Sequence, residues 1–88
     1  LYQNMPNPFK GLTKISFAIP RECYVSLLVY DATGRKVRNL IAEKLKKGNY
    51  NLRWDGRDNG GKNLPSGIYF LRLKTDDFED IKKTVLLR

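Results

Sequence analysis

The residues of this chain best suited to chemistry lie together in Asp55-Gly56-Arg57-Asp58-Asn59-Gly60-Gly61, where carboxylates and an amide are interleaved with glycines. Oxygen donors this close suggest a calcium loop. A helix-loop-helix calcium site, however, needs donors at alternate positions and a glutamate late in the loop. Here Arg57 fills the third position and nothing acidic follows Gly60 before Pro65. The same residue types also build turns, because Asp and Asn hydrogen-bond nearby amides and glycine accepts positive φ. We expect turn chemistry, with a looser cation site on Asp55, Asp58 and Asn59 as the alternative. The rest of the chain is poorer still. It has no histidine and a single cysteine, Cys23, so the commonest general base and metal ligand are missing and the thiol has no partner to activate it. Gly56, Gly60 and Gly61 precede a strand rather than a helix, which removes a phosphate cradle. We assign no catalytic residue, no metal and no cofactor, and expect a protein that is not an enzyme.

The loop must be held by its flanks. Tyr50, Leu52 and Trp54 alternate with Asn51 and Arg53, the period of a strand with one buried face. Pro65 and Gly67 close the loop, and Ile68 to Leu73 is rich enough in branched and aromatic residues to be a second strand. We expect Trp54 to be buried between two sheets, with Tyr50 and Tyr69 beside it. Tyr30 and Phe70 stand in the opposite register, as candidates for an exposed patch or a sugar platform.

Four further strands follow from the same period. Thr13 to Ile19 alternates strictly and stops at Pro20; Arg21-Glu22-Cys23 connects it to Val25–Asp31. Asp31-Ala32-Thr33-Gly34-Arg35 is a tight turn with positive φ at Gly34. Lys36 to Ala42 breaks the alternation, through a bulge or a short helical turn, and Glu43 to Gly48 reads as a polar connection. After the acidic turn Asp76-Asp77-Phe78-Glu79-Asp80 comes a last strand, Ile81 to Leu87. With a turn signal in every gap and no helical period, the class is all-β, an antiparallel β-sandwich.

Before these strands, Pro6 and Pro8 keep residues 1–9 extended. We expect an entry segment whose Phe9, with Leu1 and Met5, plugs the core; a polyproline ligand for a partner's groove is the alternative. At 88 residues the chain is expected to be one domain, entry at 1–12 and sandwich at 13–88. It opens on Leu1 rather than Met, so we expect a piece of a longer protein. No apolar run nears the ~20 residues that span a bilayer. The net charge of +8 is spread along the chain without stacking aromatics, and we expect no nucleic-acid partner.

Taken together, Gln3-Asn4-Met5-Pro6-Asn7-Pro8-Phe9, Val29-Tyr30-Asp31-Ala32-Thr33-Gly34-Arg35-Lys36-Val37, Trp54-Asp55-Gly56-Arg57-Asp58-Asn59-Gly60-Gly61, Leu64-Pro65-Ser66-Gly67-Ile68-Tyr69-Phe70 and the ending Lys82-Lys83-Thr84-Val85-Leu86-Leu87-Arg88 resemble the C-terminal sorting domains of the type IX (Por) secretion system. The chain is similar, too, to the Ig-like domain of the flagellar hook-capping protein FlgD. The resemblance implies an Ig-like sandwich of about seven strands that follows the N-terminal domains of a larger exported protein. Outer-membrane secretion machinery would read it as an address, leaving the parent secreted or at the cell surface after passage through the periplasm. It makes Lys82, Lys83, Thr84, Val85, Leu86, Leu87 and Arg88 the recognition residues, with Thr84 where the family more often has an apolar residue. Pro6, Asn7, Pro8, Phe9, Gly34, Trp54, Asp55, Gly56, Asp58, Gly60, Gly67 and Tyr69 become the structural motif. The basic ending and the Asn-Pro-Phe entry favour sorting over a FlgD-like structural module; an accessory carbohydrate-binding domain is the third reading.

Overall fold

The structure, a computed structural model, describes residues 1–88. It contains six strands and no helix: β1 (Thr13–Ile19), β2 (Cys23–Asp31), β3 (Lys36–Leu45), β4 (Gly48–Trp54), β5 (Gly67–Lys74) and β6 (Glu79–Leu86). One sheet is the antiparallel pair β1-β4; the other has the order β3-β2-β5-β6, every neighbour antiparallel. In place of a seventh strand, the entry segment contributes isolated bridges, Met5 to Lys14 and Phe9 to Leu86.

Alternation in the sequence becomes burial. Ile15, Phe17 and Ile19 of β1 face Val25, Leu27 and Val29 of β2 and Leu71 and Leu73 of β5 in one buried cluster. Trp54 is fully buried, tilted against Phe9 at 5.5 Å and edge-on to Tyr69 at 5.7 Å between ring centroids. Removing a ring of that size from water contributes roughly 4–6 kcal/mol.

Several expectations need correction. Cys23 is not in a connection but opens β2, buried in the core register. β3 runs on to Leu45, which leaves only Lys46 and Lys47 as the link to β4. Its irregular pattern is a bulge: the β2-β3 register shifts between Leu27 and Leu28 and again between Val29 and Tyr30. The last strand begins at Glu79 rather than Ile81. Met5 plugs nothing, being 71% exposed; its backbone bonds Lys14 instead. Tyr50 is only half-buried, because β4 has a neighbour on one side alone. Its ring stacks on Phe17 and its hydroxyl donates to the Lys46 carbonyl.

Candidate recognition strand and its supporting loop

β6 lies at a sheet margin, paired with β5 from Gly67–Leu86 to Lys74–Glu79. Pleating sends Thr84 and Leu86 into the core, both 0% exposed, while Lys83, Leu87 and Arg88 stay exposed and Lys82 and Val85 half-buried. Of the seven residues of the sequence-derived recognition set, Lys82 to Leu86 lie in β6 and Leu87 and Arg88 just beyond its end, and they do not share one surface. Neither Lys82 nor Lys83 has a carboxylate partner.

The outer margin of β6 is occupied by the entry segment. Phe9 donates its amide to the Val85 carbonyl at 3.0 Å, and the Leu87 amide donates to the Phe9 carbonyl at 2.9 Å. Asn7 Oδ1 accepts from the Val85 amide, while Asn7 Nδ2 and Gln3 Nε2 donate to the Lys83 carbonyl. The run is not extended throughout as the prolines suggested: residues 6–8 form a bend and the Met5-Pro6 and Asn7-Pro8 peptides are cis. With no amide on either proline, the pairing falls to the side chains of Gln3, Asn4 and Asn7. Deeper in, Asn4 Nδ2 donates to the Thr84 and Thr13 hydroxyls at 2.6 and 2.9 Å, and Thr13 donates to the Pro6 carbonyl. Asn4, Thr13 and Thr84 are all buried, so these bonds offset the desolvation of three polar groups.

Arg88 is a latch. Its Nε donates to the Leu64 carbonyl, its Nη2 to the Gly56 carbonyl, and its amide to Ser66 Oγ. Gly56 is in the left-handed region at φ +70°, and a Cβ there would lie 2.8 Å from Arg88 Nη2 and 3.2 Å from the Leu86 methyls. The loop needs glycine here both for its backbone and for the tail it packs against.

Inside the loop, carboxylates cap amides. Asp58 Oδ1 accepts from Gly60 and Lys62, and Asp55 Oδ1 accepts from the Arg57 amide and Arg38 Nη1. Asn59 Oδ1 accepts from the Asn39 amide. No three acidic, histidine or cysteine side chains converge anywhere. Trp54 Nε1 donates to the Arg57 carbonyl, and Tyr69 donates its hydroxyl to the Pro65 carbonyl four residues upstream at 2.7 Å. That last bond has the form of the tyrosine corner of Ig-type sandwiches; burial holds the phenol above its ordinary pKa. Asp31 caps the turn through Thr33 and Arg35, with Gly34 at φ +88°. The Thr33 hydroxyl helps to hold the Asp31 carboxyl below the usual range. Gly67 opens β5 opposite Leu86. Tyr30 and Phe70 are half-buried on the outer face of the larger sheet, where Arg72 bridges the Tyr30 hydroxyl and Glu79.

Sequence reasoning missed Asn4 and the Arg88 latch. Amides beside prolines hinted at the first; nothing local marks the second, whose partners lie 24 and 32 residues away.

Over residues 6–77 the chain matches the family described as the FlgD Ig-like domain. Among solved structures it is similar to FlgD from P. aeruginosa, at 29% identity and a TM-score of 0.64 over 85% of this chain and 59% of that one. It is similar in fold to PorZ, described as an essential bacterial surface component of the type-IX secretion system of Porphyromonas gingivalis (20%, TM-score 0.68, 97% of this chain and 11% of that one). A third likeness in fold is to dimeric latent PorU from the same organism (20%, TM-score 0.73, 96% and 9%). The chain thus spans less than two thirds of each of these proteins. No curated protein matches it.

Proposed function

The chain belongs to the FlgD Ig-like domain family, and from that membership we propose that it is a non-catalytic sorting module. It directs a larger exported protein through the type IX secretion system to the cell surface. The observation that carries this reading is the joining of the two ends. The Asn-Pro-Phe entry and the basic ending, the stretches that favour sorting, sit on one margin, bonded at Phe9, Val85 and Leu87. An address built this way is read as a folded margin whose ladder groups the entry segment already pairs, so its readable features are side chains, the ammonium groups of Lys82 and Lys83 offering charge.

The test is a fusion of this chain to the C-terminus of a periplasm-targeted reporter in a host with type IX machinery. The reporter reaches the cell surface, and removal of Lys82 to Arg88 leaves it in the periplasm. An intact fusion that is folded and stable yet never exported overturns the proposal.

A specific observation favours a second reading, a FlgD-like structural module: the family match ends at Asp77, before β6, and so owes nothing to the basic ending. Such a module would associate with itself or with a partner in vitro, which sedimentation detects.

A further inference from the structure

Two sheets have four margins, and the chain treats them differently. At β1 the entry segment supplies backbone bonds, Tyr2 to Ser16 and a reciprocal pair between Met5 and Lys14. At β6 it supplies the Phe9 and Asn7 bonds. β3 is only partly covered, by Asn59 bonding Val37 and Asn39, but it is spoiled as a template: its pairing is bulged, and Glu43, opposite Val25 in the core register, stays exposed. Bulges and inward-register charges are devices by which sheet edges refuse further strands.

β4 has none of these. Its seven residues pair with β1 in unbroken register, and no other backbone group and no side chain bonds its outer side. It contains no proline, and Arg53 is its one charge. Half of its amides and carbonyls point away from β1. Tyr50 and Leu52 turn a half-buried apolar surface toward the core, while Asn49, Asn51 and Arg53 are exposed on the other face. Lys46 and Lys47 flank its start; these two and Arg53 are cations without a carboxylate.

We propose that the free edge of β4 receives, as an added antiparallel or parallel strand, an extended segment of another protein in which apolar and acidic residues alternate. The ladder groups of Gly48–Trp54 supply the pairing. Tyr50 and Leu52 select apolar side chains on one face of the incoming strand; Arg53 selects acidic ones on the other, and Lys46 and Lys47 add positive charge where the strand begins. The inference does not depend on the export reading, since β6 lies at the opposite margin of the other sheet.

Fluorescence anisotropy on the full chain tests it, with a labelled peptide of alternating glutamate and valine. A second peptide is identical but N-methylated at alternate residues, and a third has lysine for glutamate. The first is expected to bind saturably and to slow amide exchange along β4, the other two at least about tenfold more weakly. Arg53→Glu should weaken the first about tenfold with an unchanged melting temperature. Lys10→Glu, the same charge change at the covered margin, should leave it unaltered. Equal binding of the N-methylated peptide, equal loss in both variants, protection appearing along β3, absence of binding, or a β4-mediated dimer of the chain by sedimentation would each overturn the proposal.

Discussion

Phe9 and Leu86 form a parallel bridge, so a residue near the start of the chain and one near its end complete a single sheet margin. Both are buried, at 1% and 0% exposure. The bridge makes the integrity of the last strand depend on the entry segment, and vice versa.

That dependence gives a stability test. Asn4→Ala leaves the buried Thr84 and Thr13 hydroxyls short of a partner and should cost about 1–3 kcal/mol. Thr84→Val removes the other end of the 2.6 Å bond. Because the groups touch, the two losses should be non-additive in urea unfolding. Strict additivity would mean that the bond is not formed.

The loop glycines provide a matched comparison. Gly56 and Gly61 both have positive φ, +70° and +83°, but only Gly56 has neighbours where a Cβ would go. Gly61→Ala should cost about 1–2 kcal/mol for the backbone alone, and Gly56→Ala distinctly more, because Arg88 and Leu86 must also move. Equal costs in denaturant titration would refute the latch.

Trp54→Ala should cost about 3–5 kcal/mol, much of the stability of a domain of this size. Native tryptophan emission should be blue-shifted and should move to the red on unfolding. Emission already near that of free tryptophan would contradict a ring buried between sheets.

Acid should destabilise the fold. Arg21 hydrogen-bonds Asp77, Arg72 hydrogen-bonds Glu79, and the Thr33 hydroxyl donates to Asp31, each holding a carboxyl below its ordinary pKa. A group depressed in the folded state binds protons more readily when unfolded, so its contribution is present above the ordinary carboxylate range, about 4, and is lost as pH falls through the folded value. Tyr69 acts at the other end. Burial raises its pKa, so the folded phenol keeps its proton longer and stability falls as pH rises past about 10. Thermal melts between these limits should be flat with respect to these four groups, and a melting temperature rising on acidification would contradict the assignment.

The strands were legible where one face is buried and the pleat is unbroken, as in β1, where Ile15, Phe17 and Ile19 are at 0–2% exposure. β3 was legible only in part, because its bulges shift the register and put Glu43 where an apolar residue would be expected. Tyr50 misled for a different reason: alternation marks a face but not whether a neighbouring strand covers it. The glycines, Asp55 and Asp58 could be read as turn chemistry from residue type alone. Arg88 could not, since its role is set by carbonyls on a distant loop, and a terminal arginine looks the same in sequence whether free or latched.

The central claim, that a folded basic edge is the address, is tested most directly by Lys82→Glu with Lys83→Glu in the reporter fusion. Unlike truncation, this change spares Thr84 and Leu86 in the core, and neither lysine is in an ion pair. The measurement is the fraction of reporter at the cell surface, for proteins shown to melt at the same temperature. The expected result is loss of surface reporter with accumulation in the periplasm; undiminished export of the charge-reversed fusion would contradict the account.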